Sequence, residues 1–144
     1  MGLFRLHFGL VDVFAREPLS GNGLSIFLLE HELPSELLQR ITQEMRQFES
    51  IFLWKTDHPH RYTARIFTME EELRLAGHPI LGAACFPHAK KFQGDAELKL
   101  NFVTPEKTIP TVSVINTPDN FAEMEQGEAI FREPPDSTQT KELL

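Results

Sequence analysis

The chain has 144 residues, 41% of them hydrophobic and 24% charged, with a formal net charge of −7. That length suits one compact domain with one sizeable core, and the acidic balance argues against nucleic-acid binding, which needs a clustered excess of Lys and Arg. No run approaches the roughly 18–20 apolar residues of a membrane helix, and the first residues lack a secretory pattern, so a cytoplasmic protein with no membrane partner is expected.

In chain order, Leu6, Phe8 and Leu10, followed by Val11 and Val13, predict a strand over about Leu6–Phe14, with room for a shift of face at Leu10–Val11. Pro18, Ser20, Gly21, Asn22 and Gly23 then read as a loop. Asn22-Gly23 would supply positive φ before a second strand, the apolar run Leu24–Leu29. Leu33-Pro34-Ser35 opens a helix in which Leu37, Leu38, Ile41, Met45 and Phe48 recur at three- and four-residue steps. Ile51–Trp54 and Tyr62–Thr68 read as strands joined by a polar connection.

The segment "LRLAGHPILGAACF", Leu73–Phe86, is apolar for most of its length, and Pro79–Phe86 reads as a second helix. Beyond Gly94, Leu98, Leu100 and Phe102 alternate with polar residues, as do Val112 and Val114 with Ser113, and Phe121–Met124 and Ala129–Phe131 complete the strand set. The closing stretch "EPPDSTQTKELL" has little to bury and reads as a linker or loose tail. Many short strands with two helices predict an α+β domain, its strands wrapped around the apolar helix.

Two ionisable residues stand out. His78, between Gly77 and Pro79, falls at the mouth of the second helix. There unpaired backbone N–H groups attract an anion such as a carboxylate, Gly77 would let a ligand approach closely, and an imidazole could donate or carry a proton. The alternative is a histidine that caps the helix or makes a core hydrogen bond. Glu49 lies between a helix end and an apolar strand. A carboxylate there would be partly desolvated, a condition suited to moving protons; the alternative is a solvated Glu in a connection.

Other candidates are weaker. His58 and His60 lack supporting ligands at metal-site spacing, Glu70-Glu71-Glu72 reads as a wet acidic edge, and Cys85 lies in an apolar run that suits a packing role in a reducing compartment.

Four stretches together resemble the phenazine-biosynthesis PhzF-like isomerase family, which has the diaminopimelate-epimerase-like fold: "VDVFAREPLSGNGLSIF", "ITQEMRQFESIFL", "RIFTMEEELRLAGHPILGAA" and "MEQGEAIF". The resemblance implies a half built as a small strand barrel around a central helix, with the active site in a cleft between two such halves. It implies Glu49 as the proton carrier and His78 as a residue that binds substrate and assists the transfer, with Gly77 and Asn22 beside the substrate. It implies isomerisation of a small carboxylated metabolite, with no metal and no organic cofactor.

The chain departs from the family pattern at named positions. Arg46-Gln47-Phe48 stand where the family commonly has Asn-Leu-Ser, Met69 and Arg74 replace prolines, and Gly23 stands where proline is common. The resemblance runs from about Leu10 to Phe131, the family's first half. Residues 1–132 are thus expected to form an N-terminal half-domain and residues 133–144 a tail, with the family's C-terminal half absent. Two functions stay open: an isomerase whose cleft is completed by a second copy or a complementary half-domain, and a non-catalytic half-domain that binds a ligand or dimerises.

Overall fold

The computed structural model describes residues 5–115 and 120–128. Its strands are β1 (His7–Val13), β2 (Asn22–Leu29), β3 (Glu49–Lys55), β4 (Arg61–Phe67), β5 (Glu72–Leu73), β6 (Glu97–Val103), β7 (Thr108–Ile115) and β8 (Asn120–Met124), and its helices α1 (Ser35–Met45) and α2 (Gly77–Lys91). The expected strand at Ala129–Phe131 and the expected tail lie outside the described residues.

One mixed sheet runs in the order β1-β2-β3-β4-β6-β7-β8, with β5 paired to β4. Two neighbours are parallel, β2 with β3 and β4 with β6. Each parallel pair is bridged by a helix, because a parallel connection must carry the chain back along the sheet. Helix α1 joins the first pair and α2 the second. The expected α+β class holds, but the expected barrel does not: among the described residues β1 pairs only with β2 and β8 only with β7, so the sheet they form is not closed.

The helices cover opposite faces of the central strands. Ile26, Ile51, Leu53, Ala64 and Ile66 pack with Ile80, Ala83 and Ala84 of α2. Phe27, Phe52 and Phe67 alternate to the other side and pack with Leu38 of α1, Phe27 stacked on Phe52 and Phe67 edge-on to it. Coverage on both faces explains why these strands read as unbroken apolar runs rather than as a polar–apolar alternation. Helix α2 touches β1, β2, β3, β6, β7 and β8, which requires small residues: a Cβ at Gly82 would collide with Leu24 Cδ2.

Several sequence expectations are corrected. Asn22 and Gly23 have no positive φ; they begin β2, and the left-handed backbone of this connection falls on Phe14 (φ 62°) and Leu19 (φ 66°) instead. In β1 the register is continuous and no change of face occurs. Val11 and Val13 pack inward while Phe8 and Leu10 are exposed, because this edge strand is covered on one side only. Helix α1 stops at Met45, so Phe48 is not on its apolar stripe. In β7 the inward residues are Ile109, Thr111 and Ser113, with Val112 and Val114 on the other face.

Helix α2 is longer than Pro79–Phe86. It begins at Gly77 and continues through Pro87 to Lys91. Pro87 removes one helical N–H, but the last turn is pinned by His88, which is fully buried. Its Nε2–H donates to the Asp95 carbonyl at 2.7 Å, and its Nδ1 accepts from the Ser113 hydroxyl at 2.9 Å. Glu72 also departs from the expected wet edge: Arg65 Nε donates to its Oε1 at 2.7 Å, and the same guanidinium reaches Glu32 and Ser35 at the start of α1. Hydrogen bonding to Glu72 pushes the Arg65 guanidinium further up from its ordinary value. Glu70 and Glu71 remain exposed.

Candidate active site

The topology gathers three chain segments at one corner. Parallel pairing sets the starts of β2 and β3 side by side, with Leu24 opposite Glu49, and the start of α2 joins them. Glu49 opens β3, Asn22 opens β2, and His78 is the second residue of α2. Although 29 positions apart in sequence, Glu49 Oε2 and His78 Nδ1 lie 2.6 Å from each other, and His78 Nε2 faces the Asn22 carbonyl at 3.3 Å.

Both ring nitrogens therefore face oxygen. A ring with a proton on each nitrogen satisfies both contacts when Glu49 is ionised; so does a ring protonated at Nε2 beside a protonated Glu49. The two states differ only in where one shared proton sits, which is the property an acid–base group needs.

The pair is partly withdrawn from water, with side chains 16% exposed for Glu49 and 13% for His78. Asn22, Phe48, Glu49, Thr68 and His78 line a hollow of about 330 Å³. Its one apolar wall faces solvent, since Phe48 is 74% exposed; Phe14 lies outside the hollow, its ring centre 6.2 Å from that of His78, and is 64% exposed. The reading of His78 as a helix cap does not apply, because the cap position is Ala76 and no side chain caps α2. Among the described residues the first N–H groups of α2 thus lack a side-chain cap. At Gly77 a Cβ would only reach ordinary contact with Met124 Sδ at 3.6 Å, so packing does not demand a glycine there.

Phe14 and Thr68 escaped sequence reading. Thr68 follows β4 and lies beside Glu49 only because Ser50 pairs with Phe67 across the sheet. Phe14 turns toward the site through its left-handed backbone, for which a phenylalanine gives no signal. The other candidates stay apart from this corner. The His60 backbone N–H is bound by His58 Nδ1 at 3.2 Å, and among the described residues no group of three or more His, Cys, Asp or Glu could hold a metal ion. Cys85 Sγ contacts the Phe121 carbonyl at 3.7 Å, and burial pushes its thiol up from its ordinary value. Among the described residues no helix is long and apolar enough to cross a membrane.

A family model described as "Phenazine biosynthesis-like protein" (PhzC-PhzF) matches residues 11–138. The chain belongs to this family. Among relatives, a trans-2,3-dihydro-3-hydroxyanthranilate isomerase of Pseudomonas fluorescens is 43% identical over 75 residues, 52% of this chain and 27% of that protein. A solved structure from Pseudomonas aeruginosa, described as a predicted epimerase, superposes with a TM-score of 0.89 at 42% identity, covering 96% of this chain and 49% of the other. A PhzC/PhzF protein from Clostridium difficile superposes at 0.65 and 26% identity over 76% of this chain and 43% of that one. This member of the family therefore spans about half the length of the solved relatives it matches.

Proposed function

We propose that this chain supplies the acid–base half of a cofactor-independent isomerase acting on a small carboxylated metabolite. The observation that carries the reading is the 2.6 Å contact of Glu49 with His78 at the wall of a hollow that they share with Asn22, Phe48 and Thr68. Glu49 takes a proton from a substrate carbon, the C–H electrons shift into the adjacent unsaturated system, and the same carboxyl returns the proton at another carbon. His78 holds the carboxyl in position through Nδ1, and the first N–H groups of α2, with Nε2 of His78 once it leaves the Asn22 carbonyl, offer donors to the substrate carboxylate. The relatives named as isomerases support this reaction class.

An open site holds the substrate from one side only and gives its reacting carbons no fixed position against Glu49, so the reaction needs a second wall. We propose that a second copy of the chain or a complementary half-domain provides it, seated on the exposed Phe14, Phe48 and Met69. The test is deuterium incorporation from D₂O into trans-2,3-dihydro-3-hydroxyanthranilate, followed by NMR, with sedimentation of the same sample. Incorporation by the parent protein and its loss in Glu49→Gln are expected, in an associated species. Equal incorporation in both proteins removes Glu49 from the mechanism, and an active monomer removes the second wall.

A further inference from the structure

A second groove, of about 530 Å³, adjoins the Glu49–His78 hollow and shares Phe48 and Thr68 with it. It is formed by two turns, Arg46–Phe48 and Thr68–Glu71, with Gly23 beneath them. The second turn is fixed from α1: Gln39 Nε2 donates to the Thr68 carbonyl at 2.7 Å and Gln43 Nε2 to the Met69 carbonyl at 3.1 Å. The groove is thus built before any ligand arrives.

Its residues are poorly explained by folding alone. Arg46 ends α1 in the left-handed region, φ 54°, where Gly and Asn are at ease and a long side chain is not. Its guanidinium makes no ion pair among the described residues. A Cβ at Gly23 would collide with Gln47 Oε1, so the glycine makes room for that amide, yet Gln47 makes one long bond, from Nε2 to the Met45 carbonyl at 3.5 Å. Phe48 and Met69 are exposed apolar side chains, while Glu70 and Glu71 add two carboxylates without an ion pair among the described residues. Of the departures from the family pattern noted in the sequence, those at Gly23, Arg46, Gln47, Phe48 and Met69 all collect here.

We propose that this groove is a specificity subsite for the far end of the substrate, and that it takes a zwitterionic amino-carboxylate group. The carboxylate pairs with Arg46, the ammonium with Glu70 and Glu71, and the connecting carbons lie over Phe48 and Met69. A groove carrying both signs of charge discriminates against a purely anionic end, which Glu70 and Glu71 repel. The Gln47 amide, with its second N–H and its Oε1 free of bonds among the described residues, bonds whichever polar atom lies between them. The inference rests on the proton-transfer reading of the adjoining hollow.

Two probes separate it from that reading. Adipate and 2-aminoadipate are dicarboxylates of equal chain length that differ by one amino group, and their binding to the full chain is followed by NMR titration. The parent protein is expected to bind 2-aminoadipate about tenfold more tightly than adipate. That preference should vanish in Arg46→Gly and in the double variant Glu70→Gln, Glu71→Gln, and survive in Glu49→Gln. Arg46→Gly should melt at the parent's temperature or above it, because glycine suits the left-handed position. Equal binding of the two probes, binding of neither, a preference that survives Arg46→Gly, or a lower melting temperature for that variant each overturns the proposal. Deuterium exchange on the same samples reports on Glu49 independently.

Discussion

Helix α2 carries a histidine near each end, and the two have opposite circumstances. His88 is sealed from water, and its nitrogens are matched one to one, a donor on the Asp95 carbonyl and an acceptor for the Ser113 hydroxyl. His78 opens onto a hollow, and both its nitrogens face oxygens that call for one more proton than the His88 arrangement holds. A satisfied buried ring fixes structure because moving its proton would break a bond that water cannot replace. A partly open ring paired with a carboxylate keeps its proton transferable. Burial and hydrogen-bond matching, rather than residue type or helix, assign the two roles.

The largest expected effect sharpens the functional end: Glu49→Gln should lower proton exchange by about 10²–10⁴-fold, the usual contribution of a positioned acid–base group, with little change in urea midpoint. At the structural end, His88→Ala should cost about 2–4 kcal/mol of unfolding free energy, from the cavity and from the stranded Ser113 and Asp95 partners. Urea titration with an unchanged slope would measure that cost; a loss under 1 kcal/mol, on the order of one net hydrogen bond, would erase the contrast between the histidines.

His78→Ala should reverse the balance, costing about 1 kcal/mol or less of stability while lowering exchange at least about tenfold. Arg46→Gly tests whether backbone strain is retained for function. Relief of the left-handed penalty, about 1–2 kcal/mol, outweighs the added freedom of the unfolded chain, about 0.4–1 kcal/mol, so a modest gain in thermal stability is expected.

The smallest effect concerns Cys85, between the two histidines on α2. Burial holds its thiol above the ordinary value in the folded state, so its contribution is intact below the unfolded thiol's pKa, about 8.5, and fades as pH rises through the folded one. Stability should therefore decline above about pH 8.5, and Cys85→Ala should flatten that decline.

Much of the fold was legible because its signals are local. The alternation in Leu98, Leu100 and Phe102, the three- and four-residue steps of Leu38 and Ile41, and the doubly covered runs at Leu24–Leu29 and Ile51–Trp54 each follow from which faces an element must bury. Boundaries fared worse. The second helix is expected to end at Phe86, but burial of the last turn and the His88 bonds carry α2 past Pro87 to Lys91. Asn22-Gly23 reads as a turn, but pairing with Asp12 and Val13 draws it into β2. The predicted closure of the strands failed because it depends on whether β1 and β8 meet, a contact between ends of the chain that no short window contains.

The sequence by itself determined most of the elements, the family pattern and two candidate residues, Glu49 and His78, each with a structural alternative beside it. Only the tertiary structure decided that they touch, that Asn22 offers its carbonyl, that Thr68 lines the hollow and Phe14 lies near His78, and that His88 is structural. The physical reason is range: propensity and periodicity act over a few residues, whereas the site depends on the parallel register of β2 with β3 and on where α2 begins against them.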